Sequence, residues 1–472
     1  MIRAQHVVNI VLDEAAKLGG VDETMVLVTD KVEATLRWAG NSMTTNGVSV
    51  SRSITVISVV RRGTSAHVGT VMSADVDPRV IPRLVAASQD AAGSAPEAGD
   101  AAPLLADTGV PADWNAPVPG TGPLVFADVA ESLSRGFKGA DRLYGFAYHN
   151  VSTTFLASST GLRRRYTQPT GTVEINAKRG DASAWAGIGT PDFVDVQTDS
   201  LVDQLSVRLG WAERSVALPP GRYETIMPPS AVADMMIYLA WSMAGRGAQE
   251  GRTALSTPGG GTRVGERLTE LPLTLFSDPM APGLGCTPFV AVTSSSETTS
   301  VFDNGMEIAQ VDWIRNGVIN ALAYPRATAA KFDAKVAVAA DNMVMTGGSA
   351  ELADMIAATE RGLLLTTLWY IREVDPITLL LTGLTRDGVY LIEDGEVTAA
   401  VNNFRFNESP LDLLRRVTEA GASEKTLPRE CSDWATRAAM PSLRIPDFYM
   451  SSVRGPVADC RATRRALACE KC

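Results

Sequence analysis

The chain has 472 residues, room for two or three domains at about 150 residues each. Apolar residues make up 45% and charged residues 20%, which excludes a mainly disordered chain. With 43 Lys and Arg against 53 Asp and Glu, the net charge is −10, and such a chain is a poor ligand for a polyanion, so no nucleic-acid partner is expected.

Val7, Val8, Val11, Leu12, Ala15 and Leu18 recur at helical spacing, and Gly19-Gly20 can end that helix. Runs rich in β-branched residues follow at 24–29, 34–38, 48–60 and 65–72, with Asn46-Gly47 as a hairpin signal. Asp77-Pro78 reads as an N-cap and first helical position, opening a helix to about Ala92. Residues 93–123 are rich in Pro, Gly and Ala and read as a long surface loop. A helix over 126–137, strands at 143–149, 152–157 and 172–177, and a helix over 200–216 complete the first half.

Leu218-Pro219-Pro220-Gly221 marks the expected domain boundary, dividing the chain into 1–218 and 219–453. Pro228-Pro229-Ser230 starts an amphipathic helix with Val232, Met235, Met236, Leu239 and Met243 as its apolar stripe. Asn304-Gly305, Asn316-Gly317, Asp387-Gly388 and Asp394-Gly395 each lie between apolar runs and tolerate the positive φ of type I′ turns. The expected fold is α+β in two domains. The first is a mixed α/β domain with antiparallel hairpins. The second is largely antiparallel β with an opening helix. Residues 454–472 lack a core-forming pattern and are expected to be a disordered tail.

Three histidines, His6, His67 and His149, are far apart in sequence, which excludes any mechanism needing a local histidine pair. The five cysteines, Cys286, Cys431, Cys460, Cys469 and Cys472, do not make a disulfide scaffold. The start is not that of a secretory signal, and the longest apolar helical run, 235–245, is far short of a membrane span, so a cytoplasmic protein with no membrane contact is expected. The glycines of 245–253 fit neither a P-loop nor a dinucleotide fingerprint and read as a connector. No Gly-x-Ser-x-Gly and no His-Glu-x-x-His occurs. Cys469 and Cys472 have the spacing of a zinc half-site without an evident fourth ligand. Arg163, Arg164 and Arg165 form a basic patch in which Arg163 and Arg165 either grip a peptide carboxylate or share a solvated strand face.

Several stretches, taken in order, resemble the TldD/PmbA family, historically called modulators of DNA gyrase. They include Ala157-Ser158-Ser159-Thr160-Gly161, Pro220-Gly221-Arg222-Tyr223-Glu224, Phe302-Asp303-Asn304-Gly305, Thr359-Glu360-Arg361-Gly362, Leu368-Trp369-Tyr370-Ile371-Arg372, Leu381-Thr382-Gly383-Leu384 and Pro441-Ser442-Leu443-Arg444-Ile445-Pro446-Asp447-Phe448. The resemblance covers about residues 5–453 and implies a heterodimeric zinc metalloprotease acting on unfolded peptides. In that family the TldD-type subunit carries His-Glu-x-x-x-His on the helix opening the second domain, with a cysteine near the C-terminus as a further ligand. Here the matching place, 237–242, holds no histidine, and Cys431 stands roughly where the cysteine would fall. The resemblance therefore implies the TldE/PmbA-type subunit. It would have no catalytic residue and no metal ligand of its own, with zinc in the partner. Candidate peptide or partner contacts are Arg163, Arg165, Met236, Met243, Asn304 and Arg372. A stand-alone hydrolase with a Ser-Lys site and a non-enzymatic peptide-binding chaperone are the alternatives.

Overall fold

The computed structural model describes residues 2–453 except positions 76, 107, 108 and 387. The expected tail, with Cys460, Cys469 and Cys472, lies outside the described residues.

Six antiparallel strands form the first sheet: β1 (Glu23–Trp38), β2 (Met43–Arg62), β3 (Ser65–Ser73), β4 (Arg142–Ser158), β5 (Arg163–Arg179) and β6 (Ala182–Thr190), in the order β3-β2-β1-β4-β5-β6. Side chains alternate across a strand, and β1 shows what each face is for. Val26, Val28, Ala34, Leu36 and Trp38 point to one face, which four helices cover. Helices α1 (Ala4–Leu18) and α2 (Ile81–Ser94) take one end of that face, α3 (Ala127–Gly136) and α4 (Thr198–Trp211) the other. Met25 and Leu27 point to the opposite face and pack with Phe289, Val301 and Phe302 of the second domain. Gly69 admits α2 against β3, since a Cβ there would sit 2.1 Å from the Ala92 backbone nitrogen.

Several sequence expectations are corrected. Asn46-Gly47 is not a turn. It lies within β2, paired with Leu36 and Thr35. The chain reverses at Gly40-Asn41, both at positive φ, where the Asn41 side chain accepts from the Leu143 N–H at 2.6 Å and donates to two carbonyls. The runs 24–29 and 34–38 are one strand, because Asp30 is paired with the buried Arg52 of β2 (2.5 Å) and need not leave the sheet. Likewise 143–149 and 152–157 join as β4. The helix expected over 200–216 stops at Trp211, and Ser215–Val216 is a short strand, β7, of the second sheet. The 93–123 segment is largely irregular, yet Leu104 and Trp114 are buried, Trp114 standing edge-on to Phe155 at 5.4 Å.

The second sheet contains fourteen strands among the described residues. Its centre is β8 (Gly221–Met227), parallel to Arg361–Leu365 and antiparallel to the long strand Ala438–Val453. Asn316-Gly317 and Asp394-Gly395 are hairpin turns with positive φ at both residues, as expected. The Asn304-Gly305 signal is not. Asn304-Gly305 follows a single helical turn, Val301–Asp303. Position 387 lies outside the described residues, and the strands on either side of it pair with other partners.

The two domains are tied by more than apolar contact. Arg326 donates to Pro103 O (2.9 Å) while pairing with Asp303 (2.7 Å), and Lys425 pairs with Asp195 (2.7 Å). Arg437 reaches from the second domain to Pro169 O and Thr170 Oγ1 of β5.

Candidate functional site

Helix α5 (Pro229–Trp241) opens the second domain after β8, with proline at its first position. It is buried nearly all round, so the expected amphipathic stripe is corrected to a core helix. It packs against the strand Ala438–Val453 and the helix Pro410–Arg416. Its one charged residue, Asp234, is fully buried. The carboxylate accepts from the N–H groups of Glu430 (3.0 Å) and Arg429 (3.3 Å), pinning the loop that follows Leu427 onto the helix. Burial pushes the Asp234 carboxyl up to about 8, against the backbone donors that pull it down.

The same loop is held from its other side. Glu430 accepts from Tyr370 N (3.0 Å) and from Arg372 Nη1 (3.2 Å). Tyr238 Oη donates to Ile371 O (2.8 Å), joining α5 to the strand Leu368–Asp375. Cys431 is buried between these groups. Burial, then the Asp234 and Glu430 charges, push its thiol up to about 12, so it is neutral at ordinary pH.

Where α5 ends, the fold leaves a pocket of about 650 Å³. Trp313 forms part of its wall from the sheet, and Met243 and Met343 line it beside the helix end. Trp241 and Trp434 stand at the mouth, 48% and 68% exposed, with ring centroids 5.5 Å apart. Gly245, just beyond, leaves room for the Tyr324 ring, which a Cβ would meet at 2.1 Å. The polar groups of the wall are largely used internally. Ser277 Oγ accepts from Trp313 Nε1 and Ala340 N, both at 3.2 Å. Asn342 bonds to Asp278 N, Asp278 O and Leu284 O. Asp341 pairs with Arg437 at 2.9 Å, which links the pocket lip to the first domain.

The predicted contact residues fall in two places. Met236, Met243 and Arg372 belong to the α5 end. Met236 is core, Met243 lines the pocket, and Arg372 is an exposed partner of Glu430. Arg163, Arg165 and Asn304 lie where the domains meet or nearby, and the solvated-face reading is corrected for Arg165. Its side chain is 6% exposed, pairs with Asp113 at 2.6 Å and stacks over Phe155. Arg163 binds the carbonyls of Ser158 and Leu162. Asn304 is buried, clamping the backbone N–H and carbonyl of Val292. Neither Arg165 nor Asn304 presents a surface to a ligand. His149 is held by Thr121 (2.6 Å) and Pro191 O (2.8 Å), and His67 by Ala95 O (2.8 Å). Sequence reasoning missed Asp234, Trp313 and Trp434. A lone Asp in an apolar helix was a readable signal, but the two tryptophans come from distant segments.

Residues 220–452 match the family model described as the PmbA/TldA metallopeptidase C-terminal domain. The chain belongs to the TldD/PmbA family. Its fold is similar to that of TldE from Thermococcus kodakarensis, with TM-score 0.75 and 16% identity over 94% of this chain and 99% of that one. A candidate modulator of a DNA gyrase from Thermotoga maritima gives 0.72 and 15% over 95% and 100%. A candidate modulator of DNA gyrase from Bacteroides thetaiotaomicron gives 0.75 and 14% over 96% and 100%. Among curated proteins, none matches the sequence.

A metallopeptidase family raises the question of a metal. At the end of α5 the side chains are Ile237, Tyr238, Leu239, Ala240, Trp241 and Ser242, and the nearby thiol is held neutral. Among the described residues no three His, Cys, Asp or Glu side chains are placed to hold one metal ion. This donor set does not fit zinc, which takes three protein ligands in a hydrolytic site.

Proposed function

We propose that this TldD/PmbA-family chain is the TldE/PmbA-type, non-metal-binding subunit of a heterodimeric metalloprotease that processes unfolded peptides in the cytoplasm. Zinc and the catalytic base belong to a TldD-type partner. The observation carrying this reading is the end of α5. A helix that opens the family's C-terminal domain finishes in apolar and aromatic side chains, on the wall of a pocket, without an imidazole. The chain then supplies shape and contact surface, and contributes no group to bond cleavage. Neither nucleic acid nor membrane is a partner. Among the described residues no helix is long and apolar enough to cross a bilayer, and the −10 charge disfavours polyanions.

The full chain is purified alone and mixed with a TldD-type subunit carrying His-Glu-x-x-x-His. Alone it should hold no stoichiometric zinc and leave an unfolded test protein intact, while the mixture should form a complex and cleave. Partner-independent cleavage, or about one zinc per chain that survives deletion of residues 455–472, overturns the reading. Alanine substitution of His67, His149 or Cys431 should leave the activity of the mixture within a few-fold, because each contributes packing and hydrogen bonds only. A variant that still assembles yet loses about a hundredfold in activity would place chemistry in this chain.

A further inference from the structure

We infer that the pocket at the end of α5 is a binding site for one bulky apolar side chain of an unfolded peptide. The inference rests on the reading that this chain meets peptide, and names what its pocket selects. Three observations point to it. The volume, about 650 Å³, is that of a site for a small ligand or a large side chain with some backbone. Ser277 and Asn342 are bonded to the protein itself, and Asp341, the one charged lining residue, is paired with Arg437 and 67% exposed at the lip, so the buried wall offers little to a polar or charged group. An apolar group suits such a wall, since it leaves no buried hydrogen bond unmade. The lining favours breadth over a single shape, because thioethers of Met243 and Met343 repack around different occupants.

The mouth argues for a peptide over a free hydrocarbon. Trp241 and Trp434 are exposed there, amphipathic rings that can cover an entering side chain and still face water. Ala339 is exposed on the rim in a stretch without regular secondary structure, and among the described residues its main-chain N–H and carbonyl take no hydrogen bond. A peptide backbone passing the mouth can use both groups while its side chain points inward.

The isolated full chain is titrated with a capped pentaglycine carrying one central phenylalanine, and with the same peptide carrying serine, following tryptophan fluorescence. The phenylalanine peptide should bind at least about tenfold more tightly, as burial of a large apolar side chain allows. Ala240→Trp, which fills the pocket from an exposed helix position, and Trp434→Ala, which removes one side of the mouth, should each weaken it about tenfold or more. Both positions are exposed, and an unchanged melting curve confirms that each variant is folded. Equal affinity for the two peptides, no effect of either folded variant, or tight binding of decanoate without peptide preference overturns the inference. Cleavage by the mixture with a TldD-type subunit is measured separately. Loss of peptide selectivity with partner activation intact defeats this inference alone. Selective binding without any partner activation defeats the subunit assignment alone.

Discussion

Met236→Asp is expected to leave little or no folded protein. Met236 is 1% exposed and sits on α5 within an apolar cluster that includes Val232, Leu239, Leu365 and Met440. A carboxylate placed there loses its water and gains no designed partner, at a cost of several kcal/mol. The whole stability of a domain is only about 5–15 kcal/mol, so one such change consumes a large part of it. Met236→Leu keeps the volume and should cost less than about 1.5 kcal/mol. Met243→Asp should fall between the two, because Met243 borders the pocket, where water can reach the new charge. Soluble yield and thermal melting rank the three. A Met236→Asp protein that melts within a few degrees of the parent would mean that α5 is not the core element described above.

Local signals were legible where one segment carried its whole cause. The Val7, Val8, Val11, Ala15 stripe is the buried face of α1, and Asp77 accepts from Arg79 N at the head of its helical turn. Asn316-Gly317 and Asp394-Gly395 make their hairpins because both residues of each take positive φ. What failed depended on distant partners. Asn46-Gly47 has the composition of a turn but is held in β2 by sixteen-residue pairing with β1, and the real turn is anchored by Asn41 to residues about a hundred positions away. The strand breaks expected around Asp30 vanish for the same reason, since Arg52 answers that charge from the next strand. Arg165 looked like surface because its cover, Asp113 and Pro117, comes from a loop whose path no periodicity reveals. At the candidate site the missing imidazoles were plain in the sequence. The pocket was not, because Trp241, Trp313 and Trp434 meet only through the fold. Family likeness read from scattered motifs agrees with the match over residues 220–452, within which every one of those motifs except 157–161 falls.

Asp234→Ala should destabilise the protein by about 3 kcal/mol and should loosen the loop that carries Cys431 and Trp434. The carboxyl group is the acceptor for the Arg429 and Glu430 N–H groups, and a buried donor left without its partner costs about 1–3 kcal/mol. Its loss leaves those donors facing a cavity, and with them goes the position of one wall of the pocket mouth. Asp234→Asn separates this geometric role from charge, because the amide oxygen can still accept. Burial raises the folded carboxyl from 3.8 to about 8, so between those values the folded state holds a proton that the unfolded state has released. Stability from this group is therefore fullest below about pH 4 and declines as pH rises towards 8. The parent protein should lose melting temperature across that window relative to Asp234→Asn, in which the group cannot titrate. Denaturant titrations of both proteins at pH 5 and pH 8.5 read the difference directly. Parallel behaviour of the two at both pH values would show that the Asp234 carboxyl stays ionised throughout, held by its backbone donors against the cost of burial.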